Sequence, residues 1–591
     1  MQLSSNAIKI LEARYLRKDD NGEIIESPEE MIKRVAMAIA EAELLWGTSN
    51  EVEKYYQRFR TMMSNLEFLP NSPTLMNAGT SLNQLSACFV LPVADSMESI
   101  FETLKKTALI QKSGGGTGFN FSHLRPEGAL VQSTKGQSSG PVAFMEIYDI
   151  ATEKIKQGGK RRGANMGILN VNHPDIFTFI RSKHNEEVLK NFNISVGVFD
   201  NFFEALKNNK DYTLTFQLHN EKIIRQIPAG QLWNEIIENA WSTGDPGLIF
   251  LDEINRKNPV PAHRIEATNP CGEVPLEPYE SCNLGSVNLS KMLKYENGKY
   301  TINWEKLEEV VALAIRFLDN VIEVNNYLFP EIEQTVKGNR KIGLGVMGWA
   351  EMLIKLEIPY ESKQAVTLAE KIMKFIDKTA KQTSLELAQI RGNFPNISLS
   401  IYHRNPMRNA TRTSIAPTGT ISIIAGTTSS IEPLFALAYK RENVLSGNIL
   451  YTVNQAALET LRKQKNYSQE LLDEVIATGS VQQIAHLPDT VKQLLKTSLE
   501  IDYTFHIAHQ TAFQKYVDNA VSKTINLPES ATRKDVEKAF LTAWKKGAKG
   551  ITVYRYNSKK QQVLNSGMKS EDEVKIIEEQ EIHDCKNACQ L

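Results

Sequence analysis

An α/β architecture is what this sequence predicts, and three features of its texture predict it. Short apolar, strand-like runs alternate with amphipathic helical stretches over residues 71–556, the first 70 residues carry only helical periodicity, and residues 557–591 carry no apolar period. With 591 residues, 41% hydrophobic and 23% charged, the chain is long enough to bury a sizeable interior.

In PEEMIKRVAMAIAEAELLWG and VEKYYQRFRTMMSNLEF, apolar residues recur three and four apart, and Ser27-Pro28-Glu29 has the form of a helix start. Residues 1–70 therefore read as a small helical N-terminal domain. From LPNSPTLMNAG onward the strand-like runs ACFVLPV, YTLTFQL, GLIFL and RTSIAP appear between helices such as WEKLEEVVALAIRFLDNVIEVNN, which predicts one large α/β domain over 71–556. The end, NSKKQQVLNSGMKSEDEVKIIEEQEIHDCKNACQL, is charged and poor in aromatics and reads as a flexible tail. No repeat of solenoid length is present.

Lys plus Arg (68) balances Asp plus Glu (69), so no global field points to nucleic acid or an anionic membrane as partner. The N-terminus has no signal-peptide core and no later run reaches membrane-spanning length, which predicts a soluble cytoplasmic protein. The five cysteines, Cys88, Cys271, Cys282, Cys585 and Cys589, make no secreted disulfide framework, leaving catalytic, redox or incidental roles.

Cys271 lies between Pro270 and Gly272, which excludes a regular helix or central strand and puts the thiol on a tight loop. If that loop enters a pocket, Asn269 and Glu273 reach the same substrate as the sulfur; the alternative is a cysteine in an ordinary turn. Cys282 and Cys88 each sit in a strand-like stretch, where a free cysteine commonly serves as a small buried hydrophobe. Cys585 and Cys589, with only His583 near them, fall short of a four-ligand metal site and read as a reactive dithiol or an incidental tail.

Two glycine-rich stretches, Ser113–Gly118 and Ala416–Ser422, have the composition of anion-binding turns or of ordinary turns, and both lack the GK[ST] and G-x-G-x-x-G frames. The loop Gly158–Asn165, with Lys160, Arg161 and Arg162, is either a mobile polyanion grip or a solvated charge run. His506 and His509 have one-turn spacing without a third ligand and read as structural.

The segments NSPTLMNAG, LSACFVLP, SGGGTGFNFSHLRP, GGKRRGANMGILNVNHPDI, NPCGEVPLEPYESCNLGSVNLS, APTGTISIIAGTTSSIEP and KGITVYRY, in that order, resemble the ribonucleotide reductase large chain, and within it the adenosylcobalamin-dependent class II enzymes. The resemblance implies a ten-stranded α/β barrel of two five-stranded halves with a central finger loop. Cys271 would be the thiyl residue, Glu273 the base on the 3′-hydroxyl and Asn269 a substrate hydrogen-bond partner. Cys88 and Cys282 would be the reducing dithiol, and Cys585 and Cys589 the tail dithiol that regenerates it by exchange. About 29 residues separate Tyr556 from Cys585, a coil of about 30 Å r.m.s. span.

By the same resemblance, substrate contacts fall on Ser72, Ala87, Cys88, Gly116, Asn269, Pro270, Cys271, Gly272, Glu273, Pro417, Thr418, Gly419, Thr420 and Ile421. A deoxynucleoside triphosphate effector falls on Asp95, Ser96, Met97 and Arg125, coupled to the substrate through Lys160, Arg161 and Arg162. The implied partners are a ribonucleoside diphosphate, that effector, a thioredoxin- or glutaredoxin-like reductant and a second copy in a homodimer; the implied cofactor is adenosylcobalamin, with no metal site in the chain.

Class I large chains carry an adjacent tyrosine pair near the end of the barrel, and here Val553-Tyr554-Arg555-Tyr556 has Arg555 in place of the second tyrosine. No RVxGY segment of class III type is present, and the absence of an ATP-cone-sized N-terminal segment implies specificity control without overall on/off control. The competing readings are a class I large chain fed by a metal subunit and a non-catalytic nucleotide-binding relative.

Overall fold

The computed structural model describes residues 1–131, 134–157, 161–218, 222–445, 448–558 and 564–566. The N-terminal helices are α1 (Ser5–Arg14), α2 (Pro28–Ala40) and α3 (Ser49–Ser64). Ser27 closes a capping box: its hydroxyl accepts from the Glu30 N–H, and the Glu30 carboxylate accepts from the Ser27 N–H at 2.8 Å. The i, i+4 stripe of α2 buries Met31, Val35 and Ile39, and these join a core that continues through Phe317 to Val553. Charge reinforces the join: buried Glu43 pairs with Arg316 at 2.7 Å and Arg391 at 2.8 Å, residues of the long helices Trp304–Val324 and Lys363–Arg391.

β1 (Phe68–Pro70) leads into the barrel and lies antiparallel on the outer edge of one of its strands. The first half is β2 (Cys88–Val90), β3 (Gly116–Asn120), β4 (Asn165–Asn170), β5 (Phe192–Val198) and β6 (Gly247–Phe250), mutually parallel in that order. The second is β7 (Glu280–Asn288), β8 (Ile342–Met347), the segment Thr413–Ile415, β9 (Thr524–Leu527) and β10 (Gly550–Arg555), again parallel. β7 pairs antiparallel with β2 and β10 with β6, so two opposed five-stranded halves close a ring of ten.

Two strand-like runs behave differently from the simple alternation read in the sequence. YTLTFQL forms a hairpin, Asp211–Gln217 with Lys222–Pro228, outside the ring, because only one face of it is apolar enough to bury. RTSIAP supplies single bridges, Leu344 to Thr413 and Ile415 to Val521, that carry the ring across. Polar β7, ESCNLGSVN, is by contrast buried at every position, since its inner face meets the site.

Candidate active site

Ala267–Thr268 and Pro275–Leu276 pair antiparallel as a stem, and residues 269–274 form the loop at its tip. The loop touches both halves of the barrel: Asn193 of β5 donates to the Pro270 carbonyl at 2.7 Å, while Ser414 Oγ and the Ala520 N–H each donate to the Glu273 carbonyl at 2.9 Å. Glycine makes the passage possible on the β3 side. A Cβ on Gly116 would stand 2.9 Å from Pro270 Cγ, and one on Gly118 only 1.7 Å from the Thr268 carbonyl oxygen. Gly272, at φ +78°, turns the tip and donates its N–H to the Asn269 carbonyl at 3.0 Å.

This geometry revises the reading of Ser113–Gly118. The stretch runs from the end of the helix Met97–Lys112 into β3, a helix-to-strand connection, so no helix N-terminus faces a ligand there. Its glycines serve close approach: Gly115 has no room for a Cβ beside Phe89, 2.5 Å away, and Gly116 and Gly118 admit the loop.

Asn269 and Glu273 are buried at 2% exposure each, whereas Cys271 between them is exposed. The Asn269 amide donates twice, to Glu273 Oε2 at 2.8 Å and to Cys88 Sγ at 3.1 Å, while its Oδ1 accepts from the Val274 N–H at 3.0 Å. Cys88 of β2 and Cys282 of β7 are direct register partners. Such partners have Cα atoms about 4.5–5.5 Å apart, inside the span of about 4.4–6.8 Å that a disulfide bridges. Burial pushes the Cys282 thiol well up, with Glu280 adding to the effect, so it stays protonated and donates to the Asn283 carbonyl at 3.3 Å.

A cavity of about 300 Å³ opens over Cys88, Asn269, Cys271 and Glu273, with Cys282 behind its lining, and every substrate position expected from the sequence lines it except Gly272, which stands beside Cys271 at the turn. Ser72, Ala87 and Gly116 form one wall with the loop, and Pro417–Ile421 form another. In that second wall Thr418 takes φ +52° and its hydroxyl accepts from the Ser430 N–H at 2.7 Å; Gly419 has open space where a Cβ would lie. Arg14, Tyr15, Asn71 and Ser286 also line the cavity and were not singled out in the sequence. Tyr15 reaches it because its hydroxyl bonds Ser72 Oγ at 2.7 Å, a long-range contact that no local pattern announces.

Comparison with known proteins agrees with this geometry. The model of the ribonucleotide reductase barrel domain matches residues 86–405 and 399–554, and that of the ribonucleotide reductase all-alpha domain matches residues 1–83. The chain belongs to the ribonucleotide reductase family. A protein named vitamin B12-dependent ribonucleoside-diphosphate reductase from Thermoplasma acidophilum is 50% identical over 98% of this chain and 82% of its own. One of the same name from Mycobacterium tuberculosis is 49% identical over 96% of this chain and 81% of its own. The solved class Id ribonucleotide reductase alpha subunit of Actinobacillus ureae shares the fold, with a TM-score of 0.77 over 94% of this chain and 97% of that one at 24% identity.

Elsewhere in this ribonucleotide reductase, Asp95, Ser96, Met97 and Arg125 cluster at the start of the helix Met97–Lys112. Arg125 donates its N–H and its Nε to the Asp95 carboxylate at 3.1 and 2.8 Å, and Ser96 caps the helix. Lys156–Gln157 and Arg161–Arg162 pair as a two-residue hairpin that runs directly into Ala164 of the cavity wall. Lys160, Cys585 and Cys589 lie outside the described residues.

Arg555 packs on Trp241: its guanidinium sits 4.3 Å from the Trp241 ring centre and its Nε donates to the Trp241 carbonyl at 3.0 Å. His506 and His509 are buried and structural as read. Burial lowers both, and His509 binds the Tyr360 carbonyl and the Trp349 indole N–H. Among the described residues no His, Cys, Asp or Glu cluster is placed to hold a metal, and no helix is long and apolar enough to cross a membrane.

Proposed function

We propose that this ribonucleotide reductase converts ribonucleoside diphosphates to 2′-deoxyribonucleotides by thiyl-radical chemistry at Cys271, with adenosylcobalamin as radical source and three units: helical 1–70, barrel 71–556 and redox tail 557–591. The observation that carries it is the double donation of the Asn269 amide to Cys88 Sγ and Glu273 Oε2 beside the only exposed thiol among the described residues. The names of the Thermoplasma acidophilum and Mycobacterium tuberculosis relatives support both the substrate and the cofactor.

The sulfur radical of Cys271 takes the hydrogen atom from C3′ of the ribose while the Glu273 carboxylate takes the 3′-hydroxyl proton. A thiol of the Cys88–Cys282 pair protonates the 2′-hydroxyl, which leaves as water. The pair supplies two electrons and, from its second thiol, the hydrogen that C2′ gains, and ends as a disulfide; Glu273 returns its proton to the 3′-oxygen and Cys271 its hydrogen atom to C3′. Holding these groups on one short loop and one strand seam fixes the radical next to a single C–H bond.

The residues fit the cofactor. Cys271 is exposed where Asn269, Pro270 and Glu273 of its loop are buried, and Gly272 and Gly419 leave that side open, a Cβ on either meeting nothing nearer than 3.9 Å. When bound, adenosylcobalamin supplies a carbon radical by cleavage of its cobalt–carbon bond. The anchoring of Arg555 on Trp241 weighs against a tyrosine relay from a second subunit.

A homodimer fits the exposed apolar side chains Met97, Phe101, Leu109, Ile147 and Ile150, which share the adjoining helices Met97–Lys112 and Gly140–Lys154. The Asp95–Arg125 cluster beside them suits a deoxynucleoside triphosphate effector, coupled through residues 160–162 to Ala164 in the cavity wall. Cys585 and Cys589 would reduce the Cys88–Cys282 disulfide and be reduced in turn by a thioredoxin- or glutaredoxin-like protein, and a reducing cytoplasm suits the free thiols.

The test is an assay of the purified chain with a ribonucleoside diphosphate, adenosylcobalamin and a small dithiol. Deoxynucleotide formation without a second protein is expected, and Cys271→Ala abolishes it. Product that appears only with an added metal-containing subunit would overturn the cofactor assignment.

A further inference from the structure

The cavity is walled by hydroxyls, backbone and apolar groups with very little charge. Among the described residues that line it, Arg14 is the one cation and Glu273 the one anion. A nucleoside diphosphate brings several negative charges into that space, and Glu273 opposes them. The Pro417–Ile421 turn offers N–H groups and hydroxyls but no counter-charge.

Arg14 comes from an unexpected direction. It is the last residue of α1, and α1 packs against the short helix Ile421–Ile424 that follows the Pro417–Thr420 turn, so its end falls on that side of the cavity. The backbone there is pinned. The Tyr15 N–H donates to the Leu11 carbonyl at 2.8 Å, its ring is 3% exposed, and its hydroxyl bonds Ser72 Oγ at 2.7 Å across the rim. A half-buried arginine on a fixed helix end loses less freedom on pairing than one on a loop. Independently, two buried polar atoms in the same lining, Asn71 Nδ2 and Ser286 Oγ, have no hydrogen-bond partner among the described residues, which marks this part of the wall as built for a polar occupant.

We infer that Arg14 is a substrate-binding residue that pairs the terminal phosphate of the nucleoside diphosphate, so that the helical N-terminal unit completes the substrate site of the barrel. The inference rests on the reading of the cavity as a ribonucleotide site. An Arg–phosphate pair is charge-assisted and made equally in the ground state and the transition state, so its loss shows in KM and leaves kcat in place.

The experiment compares Arg14→Gln with the full-length wild type, loaded with adenosylcobalamin, and adds calorimetric binding of a ribonucleoside diphosphate and of the unphosphorylated ribonucleoside. Arg14→Gln is expected to raise KM and the diphosphate Kd about ten- to hundredfold, with kcat within about twofold and nucleoside binding unchanged. An unchanged KM and Kd, or a fall in kcat at constant KM, overturns the inference. Should Arg14→Gln fail to show a cooperative melt, the comparison is made on Arg14→Lys, where loss of the planar fork leaves about a threefold rise in KM and Kd; no rise overturns it equally. A wild type that binds the diphosphate but makes no product contradicts the catalytic reading alone, because the calorimetric arm still decides the role of Arg14.

Discussion

Cys88 and Cys282 stand opposite one another across the one seam where β2 and β7 join the two halves of the barrel, and Cys282 also has its thiol held protonated by burial. The pairing brings residues far apart in sequence within bridging distance and leaves Cys271, near Cys282 in sequence, on a separate loop. Without external reductant, the loaded enzyme is therefore expected to stop after about two deoxynucleotides per site, and the Cys585→Ser/Cys589→Ser variant after about one. Peptide mapping of the stopped variant should find Cys88 joined to Cys282. A disulfide between Cys271 and Cys282 in its place would refute the assignment.

Asn269 holds the sulfur of Cys88 and the carboxylate of Glu273 with one amide. Asn269→Ala removes both bonds and leaves the Glu273 carboxylate free to turn. Loss of one preorganised donor costs about 10²–10³ in rate, so kcat should fall by about that factor while nucleotide affinity changes by less than about threefold. A fall in affinity with kcat unchanged would show that Asn269 does no more than bind.

Much of this was legible in the chain because the informative residues are punctuation. Pro270 and Gly272 announce the loop around Cys271, and Ser27-Pro28-Glu29 announces the start of α2, since each acts through local backbone geometry. The barrel was less so: β7 is buried at all nine positions yet reads ESCNLGSVN, because its burial comes from a loop and a cavity wall contributed by other segments. Arg14 was illegible for the same reason. On α1 it looks like the solvated face of an amphipathic helix, and only the contact of α1 with the helix Ile421–Ile424 brings it to the cavity. The glycines of Ser113–Gly118 were visible, but their purpose was not: composition allows an anion-binding turn or an ordinary turn, whereas the nearness of Thr268 and Pro270 makes Gly116 and Gly118 clearance for the loop.

Gly118 turns that clearance into a test. A Cβ there would lie 1.7 Å from the Thr268 carbonyl oxygen, a contact with backbone that no rotamer relieves. Gly118→Ala should cost about 1–3 kcal/mol in stability by overpacking and, by displacing the loop, should lower kcat far more than the stability loss explains. Gly128→Ala sits in open space at φ +77° and serves as the comparison, with modest strain and activity retained. Equal activity in the two variants would mean that the loop is not set by its contact with β3.

Asp377, on the long helix Lys363–Arg391, gives a pH signature away from the site. Burial, with the Asp518 carboxylate adding to it, pushes Asp377 up to about 6, against about 3.9 for an unfolded aspartate. The folded state thus holds this proton more tightly than the unfolded one, so the contribution is fully present below about pH 4 and is lost as pH rises through about 6. At neutral pH the ionised group is a net cost that Asp377→Asn removes. After discounting for partial exposure, the variant should be about 1–2 kcal/mol more stable at pH 7.5 and no more stable than wild type at pH 4, as read by urea denaturation. A gain of the same size at both pH values would point to a packing effect of the amide and remove the titration from the account.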